Sequence, residues 1–154
     1  MTKQDEFKQA MYEGNTETVK LLLSDERVDP TVDDNYAIQV ASYKGHTDVV
    51  KLLLADKRVD PAAKDNLAIQ VASMEGHTET VKLLLADKRV DPTADDNWAI
   101  KWASKKGHTD VVKLLLADDR VDPTANDNLA IQVASKNGHT EIVKLLEQSI
   151  KERK

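Results

Sequence analysis

The sequence predicts an all-α solenoid, about five helix-turn-helix units stacked in a row and joined by short inter-unit loops. Two series of motifs lead to this. Asp-Pro recurs at Asp29-Pro30, Asp60-Pro61, Asp91-Pro92 and Asp122-Pro123, and Gly-His-Thr recurs at Gly45, Gly76, Gly107 and Gly138. Both series step by 31 residues. A fixed period in this range marks a stacked-repeat protein, in which each unit buries its apolar face only against its neighbours. The third observation is that each unit divides into two short helical stretches. The chain therefore reads as one domain, 1–154, with an N-terminal capping unit (1–28), internal repeats at 29–59, 60–90 and 91–121, and a C-terminal capping unit (122–154).

The elements follow in order. In the first unit, Phe7, Ala10 and Met11 are the apolar residues of the first helix, Gly14 matches Gly45, and Leu21-Leu22-Leu23 match Leu52-Leu53-Leu54 one period later. In the internal unit the first helix is expected from Tyr36 to Lys44. Asn35 precedes it and is expected to cap its free N–H groups, and Gly45 ends it by taking a left-handed conformation. Thr47 is expected to cap the second helix, with Asp48 at the positive end of the helix dipole. Val50, Leu53 and Leu54 should point inward, and the helix should end near Asp56, before Pro61 stops it from continuing. In the last unit Glu147 stands in register with Leu116, and Gln148 with Ala117. Both changes make an outer face polar, as a capping unit requires.

Composition bounds the function. The chain is 40% apolar and 32% charged, has no Cys and carries a formal charge of -5. Disulfides and thiol-ligated zinc are excluded. The negative charge disfavours nucleic acid and anionic membrane. Met1 to Glu6 has no apolar core of the secretory kind. The expectation is a cytoplasmic, monomeric protein without a cofactor.

Gly45 to Leu54, Gly-His-Thr-Asp-Val-Val-Lys-Leu-Leu-Leu, resembles the second-helix signature of ankyrin repeats, and the likeness recurs in every unit. The family's first-helix motif, Thr-Pro-Leu-His-x-Ala in a unit of roughly 33 residues, is replaced here by Tyr36-Ala37-Ile38-Gln39-Val40-Ala41. The family's loop glycines are missing too. The shorter period puts the loss in the hairpin between units, so the projecting loops should be stubby and binding should lean on the first helices. The resemblance implies a concave surface, lined by the first helices, that holds a protein partner.

The repeated copies act as an internal control. Ala37, Ile38, Ala41 and Ser42 recur unchanged at 68, 69, 72 and 73, at 99, 100, 103 and 104, and at 130, 131, 134 and 135, which marks the packed face. The changing columns are Tyr36/Leu67/Trp98/Leu129, Val40/Val71/Trp102/Val133, Tyr43/Met74/Lys105/Lys136 and Lys44/Glu75/Lys106/Asn137. Their offsets place them on one stripe of the helix. A loop column, Asp33/Lys64/Asp95/Asn126, also varies. The candidate partner-binding residues are Tyr36, Tyr43, Leu67, Met74, Trp98, Lys101, Trp102, Lys105 and Lys106. Trp, Tyr and Met are enriched in interface cores. Unit 91–121 departs most, with Lys101 and Trp102 where its neighbours have Gln and Val, followed by Lys105 and Lys106. A basic, tryptophan-bearing spot suits an acidic or amphipathic peptide.

Other readings stand beside this one. The tryptophans can instead be packing residues or a fluorescence probe, and the near-identity of the units fits an engineered or consensus scaffold with no natural ligand. His46, His77, His108 and His139 lie one period apart. Equivalent positions on stacked helices are roughly 8–10 Å apart, whereas zinc requires its ligands at about 2 Å, so these histidines are read as helix-boundary residues bonding to backbone. The carboxylates repeat with the units, while a catalytic pair requires two unlike environments in one place. No metal site and no enzyme are expected.

Overall fold

A computed structural model describes all residues, 1–154. Ten helices follow one another without a strand: α1 (Lys3–Glu13), α2 (Thr16–Leu23), α3 (Val32–Lys44), α4 (Thr47–Ala55), α5 (Ala63–Glu75), α6 (Thr78–Ala86), α7 (Ala94–Lys106), α8 (Thr109–Leu116), α9 (Ala125–Lys136) and α10 (Thr140–Glu152). They form antiparallel pairs. The odd-numbered helices stack on one another in one layer and the even-numbered helices in a second. No strands form between units, in keeping with stubby connections.

The packed face of the first helices is the one the repeats hold constant. Ala37, Ile38, Ala41 and Ser42 are all buried, and Ile69 and Ile100 repeat the position of Ile38 in the centre of the stack. Alanine at two of these positions lets neighbouring first helices approach closely. On the second helix Val49, Val50 and Leu53 are buried, while Leu54 is only partly covered. The inward face thus includes Val49 in addition to the expected Val50 and Leu53. In the Val49 column Thr80 is also fully buried, and its hydroxyl is satisfied by that of Thr47 at 3.1 Å.

Two capping expectations are corrected. Asn35 does not cap the first helix: its Oδ1 accepts the backbone N–H of Asp60, in the next unit, at 2.8 Å. Asn66 does the same for Asp91 and Asn97 for Asp122. The physical reason is the local backbone. Asp33, Asp34 and Asn35 lie in the left-handed region, with φ of 55°, 56° and 64°, so the right-handed part of α3 starts only at Tyr36. Three consecutive left-handed residues turn the Asn35 side chain away from its own helix. Such backbone costs an ordinary residue about 1–2 kcal/mol, and Asp and Asn bear it best. Two bonds hold the turn: Asn35 N–H donates to the Thr31 carbonyl at 2.9 Å, and the Gln39 side-chain amide donates to the Asp34 carbonyl at 2.8 Å.

The second correction concerns Thr47. It is the first residue of α4, and His46 occupies the capping position without a side-chain bond to the helix. The imidazole is engaged elsewhere, with its Nε2 at 3.0 Å from the carbonyl of Tyr12 in the preceding unit. A carbonyl can only accept, so Nε2 carries the proton. His77, His108 and His139 repeat this with Tyr43, Met74 and Lys105. The expectation of boundary histidines bonding to backbone therefore holds, and the bond also crosses between units.

An arginine staple completes each junction. Arg58 is clamped by both carboxylate oxygens of Asp56 and donates to the carbonyls of Val28 and Leu23 in the unit before. In the last unit no Asp-Pro interrupts the second helix. α10 runs on to Glu152, and Arg153 reaches back to the carbonyls of Val121 and Leu116. This unit thus joins the stack with the same chemistry from a different position.

Candidate partner-binding face

The variable columns lie on the first helices, opposite the layer formed by the second helices. Tyr36 and Tyr43 are each 48% exposed, while Leu67, Met74, Trp98, Lys101 and Trp102 are partly covered, and Lys105 and Lys106 are exposed. The structure brings these residues together in two distinct places.

The first is a groove of about 220 Å³ between α3 and α5, lined by Tyr36, Gln39, Val40, Tyr43, Leu67 and Val71. It exists because valine, the short member of its column, stands at both 40 and 71. Tyr36 and Tyr43 rise on either side of Val40, so the space is walled by aromatic rings and floored by aliphatic groups.

The second place is on α7, where tryptophan replaces the aliphatic residues. Trp98 and Trp102, one turn apart, face each other with ring centroids 5.1 Å apart and a tilt of 38°. Lys105 Nζ stands 4.5 Å from the Trp102 ring centroid and Lys101 Nζ 5.4 Å from it. Both fall within cation–π range, worth about 0.5–1 kcal/mol at an exposed site. Lys106, predicted with them, is exposed as the last residue of the helix. Asp95 and Asp96, in the left-handed turn at the opposite end of α7, are exposed. The face therefore carries negative charge along its loop edge and positive charge toward the C-terminal ends of α7 and α9.

This arrangement has a cost. Gln39, Gln70 and Gln132 each donate to the carbonyl of the residue five before, which steadies the left-handed turn. Lys101 occupies the equivalent position in α7 and makes no such bond. The indole N–H of Trp102 is buried without an acceptor, and an unsatisfied buried donor costs about 1–3 kcal/mol.

One exposed aromatic on this face is absent from the predicted set. Tyr12, 57% exposed, holds the Tyr43 position one period earlier, and Lys44 Nζ sits 3.9 Å above its ring. The 31-residue step points to it, but the first unit shares too few of the constant residues for the column to stand out in the sequence. The four histidines offer no metal centre, each having its Nε2 on a carbonyl, and no group of three or more His, Asp or Glu is placed to hold an ion. No helix is long and apolar enough to cross a membrane.

Among protein families, the one described as ankyrin repeats (3 copies) matches residues 7–96 and again residues 70–153, which together span nearly the whole chain. No curated protein matches it.

Proposed function

From the premise that the chain belongs to the ankyrin repeat family, whose members generally serve protein–protein interaction and are typically non-enzymatic, we propose that it is a non-catalytic module binding a protein or peptide on its first-helix face, around Trp98 and Trp102. One observation carries the reading. Where units 29–59, 60–90 and 122–154 keep a glutamine that braces their own fold, unit 91–121 has Lys101, and it places beside it an indole whose donor has no partner. Residues that break a repeated structural rule at a cost to the stack are the ones a repeat protein devotes to something outside itself.

Immobilised protein should retain a partner from a cell lysate, and a Trp98→Ala/Trp102→Ala variant with an unchanged helical spectrum should not. Equal retention by both would remove the site from α7. The reading as an engineered or consensus scaffold without a natural ligand is favoured by the mutual stacking of the two tryptophans. Empty lanes for both proteins would support it.

A further inference from the structure

We propose that the first-helix face is a two-part site for an extended acidic peptide: an apolar side chain enters the groove between α3 and α5, and carboxylates further along the peptide meet the lysines of α7 and α9. The inference rests on the protein-binding reading above and adds the partner's chemistry, order and spacing.

The groove supplies the first part. Its two valines leave room that the corresponding columns of α7 fill with indole, so an entering side chain has a place at α3/α5 and none at α7. Its walls, Tyr36 and Tyr43, are about half exposed. An aliphatic or aromatic side chain would cover apolar surface there and leave in place the one amide side chain of the lining, that of Gln39, which donates to the Asp34 carbonyl.

Charge supplies the second part. Lys105, Lys106 and Lys136 cluster at the C-terminal ends of α7 and α9, Lys101 stands one turn earlier on α7, and none of the four is in an ion pair. Four unpaired cations on one face of a chain of net charge -5 complement a run of carboxylates. The acidic neighbours are accounted for by position. Asp95, Asp96 and Asp127 stand in the left-handed turns at the other ends of these helices, nine or more residues along the chain from Lys105 and Lys136, with Lys101 between, five residues after Asp96. Glu75 is the one acid among residues 44, 75, 106 and 137 at the near end. Carboxylates of a bound segment are thus drawn to the lysine side and repelled from the loop edge.

Geometry fixes the interval. Packed helices lie roughly 8–10 Å apart, so α7 is about one and a half helix spacings, some 12–15 Å, from the middle of the α3/α5 groove. An extended chain rises about 3.3 Å per residue. The anchor and the first carboxylate should therefore be separated by about four to five residues, with Lys136 on α9 reached about three residues later.

The test uses the full chain and an array of tryptophan-free peptides, each with one leucine and a run of glutamates at a varied separation in either chain direction. Binding is read by the fluorescence of Trp98 and Trp102, the chain's only tryptophans. Affinity should peak at a separation of about four to five residues. It should exceed that of leucine-free peptides by about tenfold or more. Tyr43→Ser should abolish the leucine dependence alone, and Lys105→Glu/Lys136→Glu the glutamate dependence alone. Three results would each overturn the two-part site: affinity indifferent to separation, equal binding of leucine-free glutamate peptides, or no peptide bound. Capture of a lysate partner that depends on the tryptophans is a separate readout, so the broader reading can survive that failure.

Discussion

The imidazole of His108 occupies the space that a side chain at Gly76, one unit earlier, would need. A Cβ built on Gly76 would lie 2.5 Å from His108 Nδ1, and Gly76 itself has φ of +76°. The same relation joins Gly45 to His77 and Gly107 to His139, whereas a Cβ on Gly138 meets nothing within 4 Å. Gly138→Ala should therefore cost only the left-handed backbone term, about 1–2 kcal/mol. Gly76→Ala should cost clearly more, because the histidine must also give up its bond to Met74. Denaturant midpoints of the two variants, with Gly76→Ala/His108→Ala as the relief variant, check this. Equal losses for both single variants would mean that the ring yields freely.

Asn66, like its equivalent Asn97, should be among the most sensitive of the left-handed residues. It is buried, sits at φ of 62° and accepts the N–H of Asp91 at 2.7 Å. Asn66→Ala strands that donor and puts a methyl-bearing residue in left-handed backbone, for a combined loss of about 2–4 kcal/mol. Asn66→Asp keeps both the acceptor and the tolerance and should recover most of it. Thermal melts of the pair decide the matter, and an alanine variant as stable as the aspartate one would show that the tether carries nothing.

Replacing Lys101 by glutamine should separate stability from recognition. The glutamine can donate to the Asp96 carbonyl as Gln70 does to that of Asp65, and the Lys101–Lys105 like-charge pair disappears. A gain of about 1 kcal/mol is expected, together with weaker partner binding. A variant that gains stability and binds as before would show that Lys101 takes no part in recognition.

Acid should loosen the junctions. Asp56, Asp87 and Asp118 are held below the ordinary value of 3.8 by the side-chain hydrogen bonds of Arg58, Arg89 and Arg120. Asp25 is lowered to about 2 by Arg27. Carboxyls depressed in the folded state contribute stability that is complete above their unfolded value and is lost as pH falls through the folded one. Melting temperature should therefore be flat in this respect above about pH 5 and fall below about pH 4. Asp87→Asn should melt lower at neutral pH and lose less on acidification. An identical acid slope for variant and parent would assign the loss to other groups.

The layers of the fold were legible in the sequence because the same residues recur where the stack needs them: Ala37, Ile38 and Ala41 announce one face, and Val50 and Leu53 the other. The junctions were harder to read. Asn35 sits where a helix cap belongs, and nothing in a run of Asp-Asp-Asn says that three residues will turn left-handed and hand the side chain to the next unit. Thr47 and His46 were exchanged for a similar reason, since Thr is the better capping residue in isolation and the histidine's place is fixed by a carbonyl 34 residues earlier in sequence. The site columns stood out as variation against a constant background. That the α3/α5 pair is open and α7 filled could be seen only once Val40, Val71 and Trp102 were placed side by side.

From residue 29 onward every junction is made from the same parts, an asparagine handed forward and a histidine and an arginine handed back; in the first unit Gln4 takes the asparagine's place. Excision of residues 60–90 would join Val59 to Asp91 and offer each of these groups an equivalent partner. Such a chain should fold as a shorter stack. It would also bring α7 directly against α3, with the indoles where the groove had been. Units can thus be duplicated or deleted in whole periods at little structural penalty, while their order behaves as a written message. The stack tolerates editing by length, and what it recognises changes with each edit.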